Sequence, residues 1–140
     1  MKLMDTAIVT TTIHVPRLLE GYVGNAKRHK HTALRFVVVG DKKTPPEAES
    51  FCRTLARRSE YPISFFDLAR QEKYLRRFPE LARHLPYNAN QPRNIGMLFA
   101  YESGADVVVT IDDDNFVLDD DFVGLNAAVG QSARVRLIRS

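Results

Sequence analysis

Three consecutive carboxylates, Asp112, Asp113 and Asp114, follow directly on the apolar run Val107 to Ile111. Like charges this close repel, and the repulsion grows beside a hydrophobic strand, where the local dielectric is low. From Asn94 to Ala133 the chain carries eight Asp or Glu residues and no Lys or Arg, so no basic neighbour in sequence offsets them. A divalent cation is the economical counter-charge, and carboxylate oxygens suit Mg2+ or Mn2+. On an extended segment alternate residues share a side, so Asp112 and Asp114 are expected to converge while Asp113 points away. The plain alternative is a solvated acidic loop. A helix-loop-helix calcium site is excluded, because it needs a third oxygen ligand near Phe116 and a glycine where Val117 stands. A phosphatase-like pairing of Asp112 as nucleophile with Asp114 as acid fits poorly too. Its motif usually comes early and continues with Thr or Val where this chain has Phe116.

Further polar residues sit where other apolar runs end. Thr10, Thr11 and Thr12 close the first run, although threonine is also simply a good strand former. Asp41 follows Gly40 at the end of the second run, where shaping the turn is its rival role. Arg93 and Asn94 open a helix whose N-terminal amides favour anions. Arg93 is the basic candidate for a diphosphate, and Asn94 is a candidate cap. Gly96 lets that helix approach a neighbour or ligand. Asn115 is read first as a turn former. His14, His29, His31 and His84 show no paired ligand spacing and are assigned no chemistry.

The elements that must position these residues follow from periodicity. Ala7 to Ile13 and Leu34 to Val39 are β-branched or apolar runs, Ile63 to Phe66 is a short one, and Val107 to Ile111 is the most apolar. Between them, helical spacing recurs in Leu18, Leu19, Tyr22, Val23 and Ala26, and again in Phe51, Cys52, Leu55 and Ala56. Thr44, Pro45 and Glu47 suggest a capping box before the second helix. Asp67 suggests a cap for a third, which Pro79 breaks or restarts. Pro86 to Pro92 reads as a loop, and Ile95, Leu98, Phe99 and Glu102 mark a helix that stops at Gly104. A helix around Phe122 to Val129 and a strand around Val135 to Ile138 complete the series. Strand and helix alternate throughout, which predicts an α/β fold of three layers with a mainly parallel sheet, α/β/α. In such sheets ligands lie beyond the carboxyl ends of the strands.

Bulk properties narrow the function classes. The 140 residues fit one domain spanning 1–140. A single cysteine, Cys52, excludes an intrachain disulfide and a thiolate zinc site, and fits a reducing, cytoplasmic setting. No run approaches the ~20 apolar residues of a membrane span. The net charge of +3, without aromatic interleaving or a groove-reading motif, gives no case for nucleic acid.

The segment from Ala105 to Asn115, preceded by Arg93-Asn94-Ile95-Gly96 and a helix, resembles the nucleotide-sugar domain of GT-A glycosyltransferases. The closer similarity is to the reversibly glycosylated polypeptide and family 2-like transferases. The likeness covers nearly the whole chain in order of elements, and its specific part is residues 93–116. The resemblance implies a Rossmann-like GT-A fold and a metal-dependent glycosyltransferase, with a UDP-sugar as donor and an unidentified acceptor. It implies that Asp112 lies at the ribose, that Asp114 with Asp112 holds Mn2+ or Mg2+ across the diphosphate, and that Asp113 contacts the sugar or supports the site. It also implies base and ribose contacts from Thr10, Thr11 and Thr12, a pyrimidine-reading role for Asp41, and a nucleotide-sugar site that includes Arg93, at the diphosphate, and Asn94. A mutase-like protein and a nucleotide-binding module without turnover are the alternatives, and no catalytic residue is identified. Acceptor recognition in that family follows the acidic motif, and only 26 residues follow Asp114. The chain is therefore expected to be truncated before that part, minimal, or completed by a partner chain or a second copy.

Overall fold

The computed structural model describes residues 4–84 and 91–132, residues 91 and 92 by their backbone alone. Among the described residues four strands form one parallel sheet: β1 (Thr6–Thr12), β2 (Leu34–Gly40), β3 (Ile63–Phe66) and β4 (Val107–Ile111). Their order is β3-β2-β1-β4. Helices α1 (Leu19–Arg28), α2 (Glu47–Ser59), α3 (Leu68–Leu75), α4 (Pro79–His84), α5 (Gln91–Glu102) and α6 (Phe122–Asn126) connect and follow them. This is the Rossmann-like three-layer α/β arrangement that the alternating pattern predicts.

The two faces of the sheet separate by strand alternation. Ile8, Phe36, Val38 and Ile111 pack with Leu19, Tyr22, Ala26, Cys52, Leu55 and Val123, which places α1, α2 and α6 on one side. Ala7, Val9, Val37, Val39 and Phe66 pack with Tyr74, Ile95 and Ala100, which places α3 and α5 on the other. β1 and β2 are buried almost completely, as continuous apolar runs between two helical layers should be. Among the described residues β4, the most apolar in sequence, lies at the end of the strand order, with Val108 and Val109 half-buried and Thr110 exposed.

Element boundaries depart from the sequence reading in a few places. Asp67 caps α3 by accepting the Arg70 amide at 2.7 Å, and Pro79 restarts the chain as α4. The capping box before α2 does not form: Thr44 Oγ1 instead accepts the Asp41 amide at 2.6 Å and donates to the Thr12 carbonyl at 2.6 Å. A hydroxyl that can tie two strand ends together has a better use than a helix end. Helix α5 already begins at Gln91, so Asn94 lies inside its first turn and is not its cap. Helix α6 stops at Asn126, short of Val129. Most of the loop expected from Pro86 and the whole strand expected around Val135 to Ile138 lie outside the described residues.

Asp121 caps α6 by accepting the Gly124 amide at 2.9 Å. A side chain at Gly124 would collide with that carboxylate, the nearest approach being 2.2 Å. Burial opposes ionisation of Asp121, but the Gly124 hydrogen bond and His31, 2.6 Å away, outweigh it and hold the carboxyl below its usual range. A lowered folded value means that the contribution is present above the unfolded value of about 3.9 and is lost as pH falls through the folded one. Asp121→Ala is therefore expected to cost about 1 kcal/mol at pH 7, the ordinary worth of such a cap, with the gap to wild type closing below about pH 4. Denaturant titrations at pH 7 and pH 3 check this, and an equal gap at both would refute it.

Candidate functional site

The strand order reverses between β1 and β4, because the chain runs outward through β2 and β3 and then returns to the other side of β1. Such a switch point opens a crevice at the carboxyl ends of the two strands. Thr10 stands opposite Ile111, so Thr11 and Asp112 leave the sheet side by side. Thr12 stands opposite Gly40, which brings Asp41 to the same end. Thr11, Asp41, Arg93 and Asp112 are thereby gathered at one edge from four elements well separated in sequence.

The threonines are not equivalent. Thr10 and Thr12 are buried on the α1 face. Thr10 donates to the Thr11 carbonyl at 3.2 Å, and Thr12 Oγ1 donates to the His14 carbonyl at 2.8 Å and accepts the His14 amide at 3.0 Å. Both hydroxyls are engaged in shaping the strand exit. Thr11, half-buried, falls on the α5 face by alternation and is the one of the three whose side chain is turned toward Arg93's helix.

The acidic segment is a turn and not an extension of β4, so strand alternation does not govern it. Asn115 closes it: its Oδ1 accepts the Asp112 amide at 2.9 Å, and its own amide donates to the Asp112 carbonyl at 3.1 Å. Asn115 is thus the turn former, and the Tyr22 hydroxyl donates to its carbonyl at 2.8 Å, fixing the turn on α1. Asp112 and Asp114 are exposed and Asp113 is half-buried. Asp112 has found a positive partner after all, since its Oδ1 accepts a hydrogen bond from Arg93 on the first turn of α5. The counter-charge absent nearby in sequence is supplied across 19 residues by the fold. Arg93 Nε is buried beside this pair without a partner. Asn94 lies exposed on the same turn.

Protein side chains alone assemble no cation site among the described residues, where no three His, Cys, Asp or Glu side chains converge as a cage. Asp112 and Asp114, exposed on the turn, are the carboxylates that could take part in holding a cation such as Mg2+.

Gly96 explains how α5 reaches the crevice. A Cβ there would lie 2.6 Å from Val9 Cγ1 and 3.0 Å from Val39 Cγ2, so the helix packs directly on the two central strands. At the far side of the same edge, a cavity of about 350 Å3 lies between the ends of β2 and β3, lined by Gly40, Asp41, Pro45, Phe65, Asp67 and Leu68 among others. Asp41 is exposed at its rim, and its Oδ1 accepts the Lys43 amide at 3.1 Å, so it does shape the turn.

Several supporting residues carry no sequence motif. Gln71 is buried and donates to the Gly40 carbonyl at 2.8 Å and the Phe66 carbonyl at 3.1 Å, joining the ends of β2 and β3. Asn25, also buried, donates to the Leu118 and Asp120 carbonyls at 3.0 and 2.8 Å and accepts the Phe122 amide at 3.3 Å. With Arg28 and His29 bonded to Asp119, it straps the segment after the acidic turn onto α1. The only signal in the sequence is an amide residue at an inward helical position, beside Tyr22 and Ala26 in one case and Tyr74 in the other.

No protein-family model and no curated protein matches the chain. The fold class and the switch-point crevice therefore stand on the geometry alone. Among the described residues no helix is long and apolar enough to cross a membrane.

Proposed function

We propose that the crevice between β1 and β4 binds the nucleoside diphosphate part of a nucleotide-sugar, UDP-sugar being the first choice, and that the chain is the donor-binding part of a metal-dependent glycosyltransferase. The observation that carries this is the meeting of Asp112 and Arg93 at the switch point, with Asp114 on the same fixed turn. A diphosphate needs positive charge on one side and a cation bridge on the other. Arg93 and the amides of the first turn of α5 supply the former, and Asp112 and Asp114 hold the latter. When bound, Mg2+ or Mn2+ supplies Lewis-acid stabilisation of the leaving diphosphate. Thr11 lies beside Asp112 in reach of the ribose side, and the cavity next to Asp41, with its Phe65 and proline walls, offers the base a place to lie. Cys52 is buried, and burial pushes its thiol up to about 12, which makes it a core residue and not a nucleophile of the site.

Calorimetry of uridine diphosphate against the protein tests this reading. With saturating Mn2+ the affinity is expected to exceed that in excess chelator by at least about tenfold, since the bridge is worth more than one ordinary polar contact. Equal affinity in both conditions would remove the metal bridge from the proposal. The absence of any binding would remove the donor site.

A further inference from the structure

We propose that the β4 side of the sheet is a docking surface for this chain's own residues 134–139, which add to the outer edge of β4. The proposal stands apart from the donor-site reading. Among the described residues β4 pairs with β1 alone, so its outer row of backbone amides and carbonyls meets no strand. Native sheets protect such an edge with Lys, Pro or a bulge. Val107 to Ile111 holds neither a charge nor a proline, and its register with β1 runs without interruption. An edge of this composition is a template for another strand.

The flanks of the edge are apolar as well. Among the described residues, six of the eight large hydrophobic side chains that are exposed fall between positions 97 and 129. On one face of the sheet, α5 turns Phe99 and Glu102 toward Tyr74 of α3. Met97 lies on the opposite side of that helix, toward β4, with Tyr101 exposed one turn further on. On the other face α2 packs on β3 and α6 on α1, so the helices follow the strand order and α6 stands on the β4 side. There Val117 and Val123 pack on the core, while Phe116, Leu118, Leu125 and Val129 face outward, each at least 64% exposed.

Charge selects the occupant. The strapped segment runs beside α1 from Tyr22, which holds Asn115, to His31, which holds Asp121. Since α1 returns from the carboxyl to the amino end of the parallel sheet, exposed acids stand at both ends of this flank: Asp112 and Asp114 at one, Asp119 and Asp120 at the other. A second β4 would bring the same aspartates against these, and no Lys or Arg occurs from Asn94 to Ala133 to offset them. Residues 134–139 read Arg-Val-Arg-Leu-Ile-Arg, in which Arg134 and Arg136 alternate with Val135 and Leu137 at the period of a strand. Six extended residues span roughly 20 Å, against roughly 17 Å for the five of β4. Shortly before them the chain leaves the axis of α6 through a turn in which Gly130 takes a φ of +76°.

Residue-resolved amide hydrogen exchange on the full chain tests this. The β4 amides that do not bond to β1 are expected to exchange at least about a hundredfold more slowly than free peptide, because a paired strand must open before they exchange. In the double variant Val135→Asp/Leu137→Asp that protection is expected to be lost, while the amides of β1 and β2 keep theirs and show that the fold persists. In Arg134→Glu/Arg136→Glu it is expected to fall by about tenfold, as two attractive pairings become repulsive. Outer β4 amides that exchange at the free-peptide rate in wild type, or protection unchanged in either variant, overturn the proposal. Should a variant unfold, backbone Overhauser contacts between residues 134–139 and 107–111 in wild type decide: their presence supports the docking and their absence overturns it. A mixture of isotope-labelled and unlabelled chains separates a second copy from the chain's own segment. Contacts between chains, with protection that rises with protein concentration, overturn docking within one chain.

Discussion

Gly96→Val is expected to destabilise the protein by about 3 kcal/mol, the largest stability loss of any single exchange at the site. Its Cβ alone would stand 2.6 Å from Val9 Cγ1 and 3.0 Å from Val39 Cγ2, and these belong to the buried central strands, which cannot yield as a flexible side-chain tip would. Overpacking of this kind costs about 1–3 kcal/mol before the two extra methyls are counted. Gly96→Ala sets two effects against each other. It gains about 1 kcal/mol of helix propensity and incurs the collision, so a smaller net loss is expected. Gly24, within α1, provides the control, because a Cβ there meets nothing within 4 Å. Gly24→Ala should therefore stabilise by up to about 1 kcal/mol, the propensity gain without the clash. Thermal and denaturant unfolding of the three variants decide the matter. A Gly96→Val protein within about 0.5 kcal/mol of wild type would mean that α5 does not rest on β1 and β2 as described. Since Arg93 lies three residues before Gly96, any outward shift of α5 should also weaken diphosphate binding.

The strands were legible because two helical layers bury β1 and β2 on both faces, and burial on both faces demands uninterrupted β-branched or apolar runs such as Ala7-Ile8-Val9 and Phe36 to Val39. Their order was not legible. Alternation of strand and helix predicts a parallel sheet, but nothing in Val107 to Ile111 tells that it returns beside β1 and not beside β3. The ends of the strands carried the site, as the general rule for such sheets predicts. The detail that failed was the extended course of Asp112 to Asp114. One side chain, Asn115, turns the segment by bonding an amide three residues back, and a local hydrogen bond of this sort overrides the continuation of a strand. The charge argument was incomplete in a similar way. It weighed neighbours in sequence, whereas Arg93 reaches Asp112 through the packing of α5, made possible by Gly96. The histidines, to which sequence spacing assigned no chemistry, include two that hold the segment after the acidic turn on α1: His31 with Asp121 and His29 with the Asp119 carbonyl. Their partners lie about ninety residues away, a separation that periodicity cannot reveal.

Asp114→Asn is expected to weaken nucleoside diphosphate binding at saturating Mn2+ by about a hundredfold, or roughly 2.7 kcal/mol, if Asp114 holds the cation as proposed. The structure makes this a clean exchange. Asp114 is exposed, and the hydrogen bond it accepts from Asn115 Nδ2 is long at 3.4 Å. The turn itself is closed by Asn115 against Asp112, so the variant keeps its shape while losing one charge. Stability should stay within about 0.5 kcal/mol of wild type, or rise slightly, because one of three mutually repelling carboxylates is gone. Binding in excess chelator should be nearly unchanged, since only the metal-dependent part is lost. Asp119→Asn is the control: its side chain is 99% exposed and pairs with Arg28 at 2.8 Å on the strapped segment, where an ion pair is worth at most about 1 kcal/mol. It removes the same charge from the same acidic stretch without touching the turn. A shift of well under tenfold is expected from it. Should the two variants bind uridine diphosphate alike, both close to wild type in the presence of Mn2+, Asp114 is a solvated turn residue and the cation, if bound at all, is held elsewhere.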